Sequence, residues 1–204
     1  MLVSDLQTEL ALHAHDPSNG EISAAQWLAF IASAARDARS SGWLIRLEDD
    51  ESITIAASTY EYNVPASFAY IYQMFVEETI NGSAVYVHEV PRHHWDIRVN
   101  GSVPVFTFST ITELTPDKHL KIVGQQRPTI HSATGTTIDA GMESFLRERA
   151  LYFGFRYIGA GLSELARWRQ ELSRQSWVMS EALLRRHPQE FRQLPNALEV
   201  PGRG

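Results

Sequence analysis

The sequence contains no cysteine, which excludes disulfide bonds, thiol nucleophiles and cysteine-ligated zinc sites. No window approaches the roughly 18 uncharged apolar residues of a membrane span. No basic segment followed by an apolar one opens the chain, so we expect no secretory signal. Lysine is scarce, with two among 18 basic residues, and the formal net charge is −6. Because phosphate neutralisation needs lysine and arginine, this balance argues against a protein that coats nucleic acid.

The 204 residues are 44% hydrophobic and 21% charged, the balance of a globular protein long enough to bury a core. Charge is divided unevenly along the chain. Residues 1–140 carry 8 basic and 17 acidic residues, whereas residues 141–204 carry 10 basic and 7 acidic residues. This division is typical of opposed surfaces that are complementary between copies, although chance and solvated helix faces explain it equally well.

Two helices are predicted in the first forty residues. Apolar residues recur at steps of three and four from Leu2 to Ala11, and again from Trp27 to Ala38. Residues 16–20 form a polar break between the two runs. Ser23 is the expected N-cap of the second helix, and Gly42 is its expected C-terminal stop.

Residues 43–125 change to the period of two that indicates β-strands. The segments with strand character are residues 52–56, 60–64, 68–76 and 120–123. Two Asn-Gly pairs, Asn81-Gly82 and Asn100-Gly101, lie between apolar runs and predict tight hairpins, because both residue types tolerate positive φ. We therefore predict six to eight mostly antiparallel strands in a small sandwich or barrel.

Helical spacing returns in residues 141–187. Gly159–Gly161 is the expected break between two helical segments, and Ser163 is the expected cap of the second one. That second segment contains a narrow apolar seam with steps of three, four and seven, interrupted by Gln175. The seam consists of Leu165, Trp168, Leu172 and Met179. Trp168 and Trp177 are candidate packing or interface residues, and of these two roles the sequence favours burial in the core.

The C-terminal part also contains two sets of candidate contact residues. The arginines of the last helical segment indicate a charged face that contacts another subunit. They are Arg167, Arg169, Arg174, Arg185 and Arg186. Beyond Pro188, spaced apolar residues lie in a proline-containing tail. They are Phe191, Leu194, Leu198 and Val200.

Together these segments predict an α+β fold. Helices from residues 1–42 and 139–187 form one bundle, the antiparallel β module of residues 43–138 is inserted between them, and residues 188–204 are an extended tail.

The residue patterns predict no catalytic, metal-binding or cofactor-binding site. His13 and His15 are spaced as in some metal hydrolases, but residues i and i+2 of a helix do not share a face. His93 and His94, near His88, point to opposite faces if they lie on a strand. Residues 48–51 lack the spaced oxygen ligands of a calcium loop and are expected to form a solvated turn. Phosphate-loop and nucleophile-elbow motifs are absent from the sequence.

Several features in their order along the chain resemble the head-to-tail connector, or adaptor, proteins of tailed bacteriophages. They are a Trp-containing helix (residues 27–38), Tyr62-Asn63-Val64-Pro65, a hairpin with Trp95, a strand from Leu120 to Arg127-Pro128, and an Arg-rich helical segment (residues 145–186). The resemblance covers roughly residues 20–187 and rests on a pattern of features, not on a signature motif.

The resemblance implies a structural virion protein without catalysis or cofactor. Such proteins assemble into a ring, usually of twelve copies, below the portal, where they extend the channel for genomic DNA and dock tail or neck proteins. The implied location is the head–tail neck of the virion, after assembly in the host cytoplasm and without membrane contact. DNA passes transiently and without sequence preference.

Within this interpretation the candidate residues have specific roles. We expect the apolar residues of the tail to dock on a partner and the five arginines to contact a neighbouring subunit or the portal. The alternatives are another neck or tail component, such as a tail terminator, and an enzyme or ligand-binding protein. An enzyme would have a deep pocket, for example around His88, His93 and Asp96.

Overall fold

The computed structural model describes residues 1–110, 114–159, 163–190 and 198–201, with side chains for all of these except 49–52 and 187–190. The helices within these residues are α1 (Val3–His13), α2 (Ala24–Ser40), α3 (Glu143–Ile158) and α4 (Glu164–Glu190). The strands are β1 (Ile45–Thr54), β2 (Glu61–Asn63), β3 (Tyr70–Ile80), β4 (Ser83–Glu89), β5 (Trp95–Asn100), β6 (Val103–Phe108), β7 (His119–Gln126) and β8 (Leu198–Glu199). With 39% helix, 28% strand and antiparallel sheets, the structure confirms the predicted α+β class.

The chain divides into two units. The helical unit consists of Met1–Ile45 and Arg127–Arg192, and the β unit consists of Arg46–Gln126 and Gln193–Gly204. The connection from residue 127 to α3 therefore belongs with the helices. The C-terminal end of the chain belongs with the strands.

Local chemistry defines both ends of α2. The Ser23 Oγ accepts a hydrogen bond from the Gln26 backbone N–H, and the Gln26 side chain accepts one from the Ser23 N–H, which is a capping box. At the other end Gly42 has φ of 79°, and the Trp43 N–H donates to the Ala38 carbonyl. This is a Schellman motif, so both sequence predictions for α2 are confirmed.

The core of the helical unit lies between α1, α2 and α3. It contains Val3, Leu6, Leu10, Trp27, Ile31, Ala34, Ala35, Phe145, Leu146 and Ala150. The aromatic rings of Trp43 and Phe145 meet at 5.1 Å. The N-terminus of α1 is fixed to the segment before α3, where the Val3 N–H donates to the Thr136 carbonyl. The apolar stripes of α1 and α2 are therefore buried as their spacing predicts.

The β unit contains two sheets that share one hydrophobic core. One sheet has the order β1-β7-β3-β4, with β8 also paired to β3, and the other has the order β2-β6-β5. Met74 and Ile122 of the first sheet belong to the same buried cluster as Trp95 and Phe106 of the second. Of the two predicted architectures, a closed barrel is not formed by the described strands.

Both predicted hairpins are present, but their turns differ. Asn81 and Gly82 are the two central residues of the β3–β4 turn, with φ of 52° and 80°, as a type I′ turn requires. In the β5–β6 hairpin Asn100 is paired with Val103. Gly101, with φ of 66°, is therefore the first central residue, which is the glycine position of a type II′ turn.

Candidate functional site

The helices α3 and α4 form an antiparallel pair in which small residues of α4 are buried. These residues are Ala166, Ser173, Ser176 and Ser180. The Ser173 hydroxyl donates to the Tyr152 carbonyl at 3.2 Å, so the polar atom is satisfied inside the contact. Because small side chains allow close approach, α4 packs on α3 through this narrow stripe.

The predicted apolar seam of α4 lies on the surface of the helical unit. Leu165, Trp168 and Met179 are 52%, 45% and 56% exposed, and Leu172 is half-buried. Trp177 is 38% exposed. The prediction that Trp168 and Trp177 are core residues is therefore wrong, because the serine and alanine stripe occupies the side of α4 that faces α3.

A buried cation lies beside this surface. Arg149 of α3 is 3% exposed and donates to the Glu181 carboxylate at 2.7 Å. Its guanidinium stacks on the Trp177 ring at 4.0 Å, and the Asp37 carboxylate is 3.4 Å away. The sequence analysis missed this cluster. Arg149 lies beside Phe145 on the same side of α3, but an arginine at such a position usually extends to solvent, so the sequence alone does not indicate that it is buried.

The five candidate arginines of α4 fall into two groups. Arg169 is bonded within the chain, to Glu21 and to the Ile158 carbonyl. Arg174 makes an exposed contact with Glu171 at 3.6 Å. Arg167, Arg185 and Arg186 are exposed. The outward-facing members of the set are available to another molecule, whereas Arg169 fixes α4 to the α1–α2 connection.

The α1–α2 connection is organised by a buried carboxylate that sequence reasoning did not single out. Asp16 accepts hydrogen bonds of 2.8–2.9 Å from the backbone N–H groups of Gly20, Glu21 and Ile22. The hydrogen bond from Ile22, together with the others and with the charge of Arg169, holds the Asp16 pKa below its ordinary value. Its signal in the sequence was the polar break itself, where an aspartate precedes a turn.

The C-terminal candidates have a partner inside the chain. Val200 is buried, and its N–H donates to the Ala69 carbonyl at 2.7 Å. Leu198 is half-buried and pairs with Ile71 of β3. Phe191 and Leu194 lie outside the described residues. Docking on another protein through Leu198 and Val200 would require β8 to leave β3.

The histidine candidates are distributed over separate elements. His88 of β4 lies 3.2 Å from Glu78. The rings of His93 and His94 meet edge to face in a short 3-10 turn. Among the described residues, no cluster of three or more histidine or acidic side chains is arranged to hold a metal ion.

The acidic run at residues 48–51 lies within strand β1 and not in a turn as expected. Of its four side chains, the structure describes that of Glu48. Glu48 contacts Lys121 at 3.0 Å and Arg46 at 2.5 Å. Hydrogen bonds from these two cations lower the Glu48 pKa. The side chains of Asp49, Asp50 and Glu51 lie outside the description.

The sequence as a whole is similar to one family of known proteins. A protein-family model described as SU10 adaptor protein matches residues 1–190. No curated protein matches the sequence. Within the described residues, no helix has the length and apolar character needed to cross a bilayer.

Proposed function

The chain belongs to the SU10 adaptor protein family, a family of phage head–tail adaptors, and from this premise we propose that copies of it close into a ring below the portal. The ring extends the channel for the genome and offers tail or neck proteins a surface. Twelve copies is the number that the resemblance to connector proteins implies. The chain acts in this proposal as a structural part of the virion neck and not as an enzyme.

The division of charge between the two units supports a head-to-tail contact between copies. Residues 46–126, the strand-rich part of the β unit, carry 5 basic and 11 acidic residues, a formal balance of −6. The helical unit carries 12 of each kind, and α4 presents Arg167 and Arg185 outward. A contact between two different patches repeats from copy to copy and closes into a ring when the rotation divides the circle.

The observation that carries the proposal is the outer surface of α4. The helix buries alanine and serine and exposes tryptophan, leucine, methionine and arginine. Aromatic residues and arginine are enriched in protein interfaces, and exposed apolar groups of this size are unfavourable in a free monomer. We place the contact between neighbouring copies on the arginine-bearing side of this surface, opposite the acidic β unit of the next copy.

The negative balance of the β unit also suits a channel for DNA. A wall that lacks clustered lysine and arginine offers the phosphates no strong binding sites, so the duplex passes without being retained. The C-terminal segment remains a proposed docking element for the portal or tail side. Its apolar residues are Phe191, Leu194, Leu198 and Val200.

The decisive experiment mixes the purified chain with portal particles and counts rings by electron microscopy. Arg167→Glu combined with Arg185→Glu is expected to abolish rings, because two cations of the contact are reversed. Arg36→Glu is the control for a single charge reversal outside the proposed contact, since Arg36 is an exposed arginine of α2, and each single variant of α4 is compared with it. Absence of rings with the wild-type chain, or unchanged rings with the double variant, would contradict the respective parts of the proposal.

A further inference from the structure

The exposed seam of α4 continues as a heptad pattern over three repeats. Residues at alternating steps of three and four are Leu165, Trp168, Leu172, Gln175, Met179, Ala182 and Arg186. At about 100° per residue, Leu165, Trp168, Leu172 and Met179 fall within a sector of about 60°. This sector adjoins the stripe that packs on α3. Leu165, Trp168 and Met179 are about half exposed, whereas Leu172 is half-buried.

A seam with this spacing fits one kind of partner, another α-helix that packs knobs into holes. The seam is also complementary to itself when two copies run antiparallel in the register that places Leu165 of one copy opposite Ala182 of the other. The same register places Trp168 opposite Met179, and Leu172 opposite Gln175. Each large side chain then meets a smaller or more flexible one, and the two Gln175 amides flank the two-fold axis, where they can hydrogen-bond to each other.

The charged residues at the two ends of the seam favour antiparallel over parallel pairing of two α4 helices. Glu164 begins α4, whereas Arg185 and Arg186 lie at the far end of the seam, and all three are exposed. Antiparallel pairing places Glu164 of one copy within a turn of Arg185 and Arg186 of the other, twice in each pair. A parallel pair would instead oppose like charges at both ends.

We propose that a second copy of this chain covers the seam, with the two α4 helices packed antiparallel about a two-fold axis. The same patch is then used by both copies, which is an isologous contact. This two-fold contact differs from the head-to-tail contact of a ring but uses part of the same outer surface of α4, so it describes the chain before it meets the portal, where the ring contact would replace it. Trp168 and Met179 are the residues that it buries.

The absence of cysteine from the sequence makes the register directly testable by disulfide cross-linking. Leu165→Cys and Ala182→Cys are introduced in separate full-length proteins, which leaves the Trp168–Met179 layer intact. After mixing and mild oxidation, we expect at least tenfold more of the mixed dimer than of either homodimer. Replacing the second protein by Arg174→Cys, an exposed position on the outward side of α4, is expected to remove the mixed product.

Sedimentation velocity tests the contribution of the seam. We expect the mass of two chains for the wild type at tens of micromolar and of one chain for Met179→Glu. Arg174→Gln is the matched control, because it changes the net charge by the same amount on another side of the helix, and it should remain dimeric. A monomeric wild type, a dimer that Met179→Glu leaves intact, or a dimer without the Leu165–Ala182 cross-link would overturn the proposal. Ring formation on portal particles is scored separately, so failure of one proposal leaves the other standing.

Discussion

The indole of Trp27 lies against the backbone of Gly154, so closely that a Cβ at residue 154 would stand 2.4 Å from the ring. Trp27 is fully buried and contributes the largest side chain of α2 to the core of the helical unit. A glycine in the middle of α3 is unfavourable for the helix by itself. Here it allows the two helices to meet through a large ring on one side and bare backbone on the other.

Gly154→Ala is therefore expected to destabilise the chain although alanine favours helix. The methyl group displaces the ring or the backbone, which costs roughly 1–3 kcal/mol, against about 1 kcal/mol returned by helix propensity. Urea unfolding followed by tryptophan fluorescence measures the difference. Gly135→Ala is the control, because nothing lies within 4 Å of a Cβ there. Equal stability of the two variants would refute the packing argument.

Removal of the Glu181 carboxylate is expected to leave Arg149 buried with a weakened set of partners. Glu181→Gln keeps the size of the side chain and loses the charge, so we expect a loss of about 1–3 kcal/mol in the free energy of unfolding. Glu171→Gln makes the same chemical change in an exposed contact on α4 and should cost less than about 1 kcal/mol. Similar losses for both would show that burial of Arg149 has no energetic consequence.

Asp16→Asn is expected to lower stability at neutral pH and to have a smaller effect in acid. The folded chain lowers the Asp16 pKa, so the ionised carboxylate stabilises the fold above the ordinary value near 4. That contribution is lost as the pH falls through the lowered pKa. Unfolding curves at pH 7 and pH 3 should therefore show a gap between the stabilities of wild type and variant that narrows as the pH falls. A stability difference of constant size at both pH values would show that the charge of Asp16 does not stabilise the α1–α2 connection.

His131 gives a dependence of the same sign in a higher pH range. The side chain is 1% exposed, and burial lowers its pKa, although Asp139 opposes the effect. The unfolded chain therefore binds more protons just below pH 6.5, so stability falls as the pH drops through that range. His131→Gln should reduce the change in the thermal unfolding midpoint between pH 7 and pH 5.5. His93→Gln, the same substitution at an exposed position, is the control, and an equal reduction there would contradict the role of His131.

The features that the sequence predicts correctly are those with local causes. Ser23 and Gly42 terminate α2 through hydrogen bonds and a positive φ that only a few residue types supply. The Asn81-Gly82 turn follows from the same conformational tolerance. The second hairpin shows the limit of this argument, because Asn100-Gly101 is present but the pairing of Asn100 moves the turn by one residue.

The features that the sequence analysis missed depend on which side of an element is covered. Periodicity indicated the seam that contains Trp168 and Met179, but the core position that it favoured for Trp168 is wrong, since a pattern of apolar residues does not reveal what packs on it. The burial of Arg149 and the pairing of β8 arise from contacts distant in the sequence. A strand of two residues has no periodicity that could predict it.

Truncation at the last strand, β8, tests whether the C-terminal segment stabilises the β unit of its own chain. A chain that ends at Ala197 loses the Val200 N–H bond to Ala69 and the burial of a valine side chain worth roughly 1.5–3 kcal/mol. We expect faster amide hydrogen exchange at Tyr70 and Ile71, which pair with β8, and a less stable β unit. A chain that ends at Pro201 keeps β8 and should match the full-length protein in both measurements. If the shorter chain also matches it, β8 contributes nothing to the sheet, and the segment is free to pair with another protein instead.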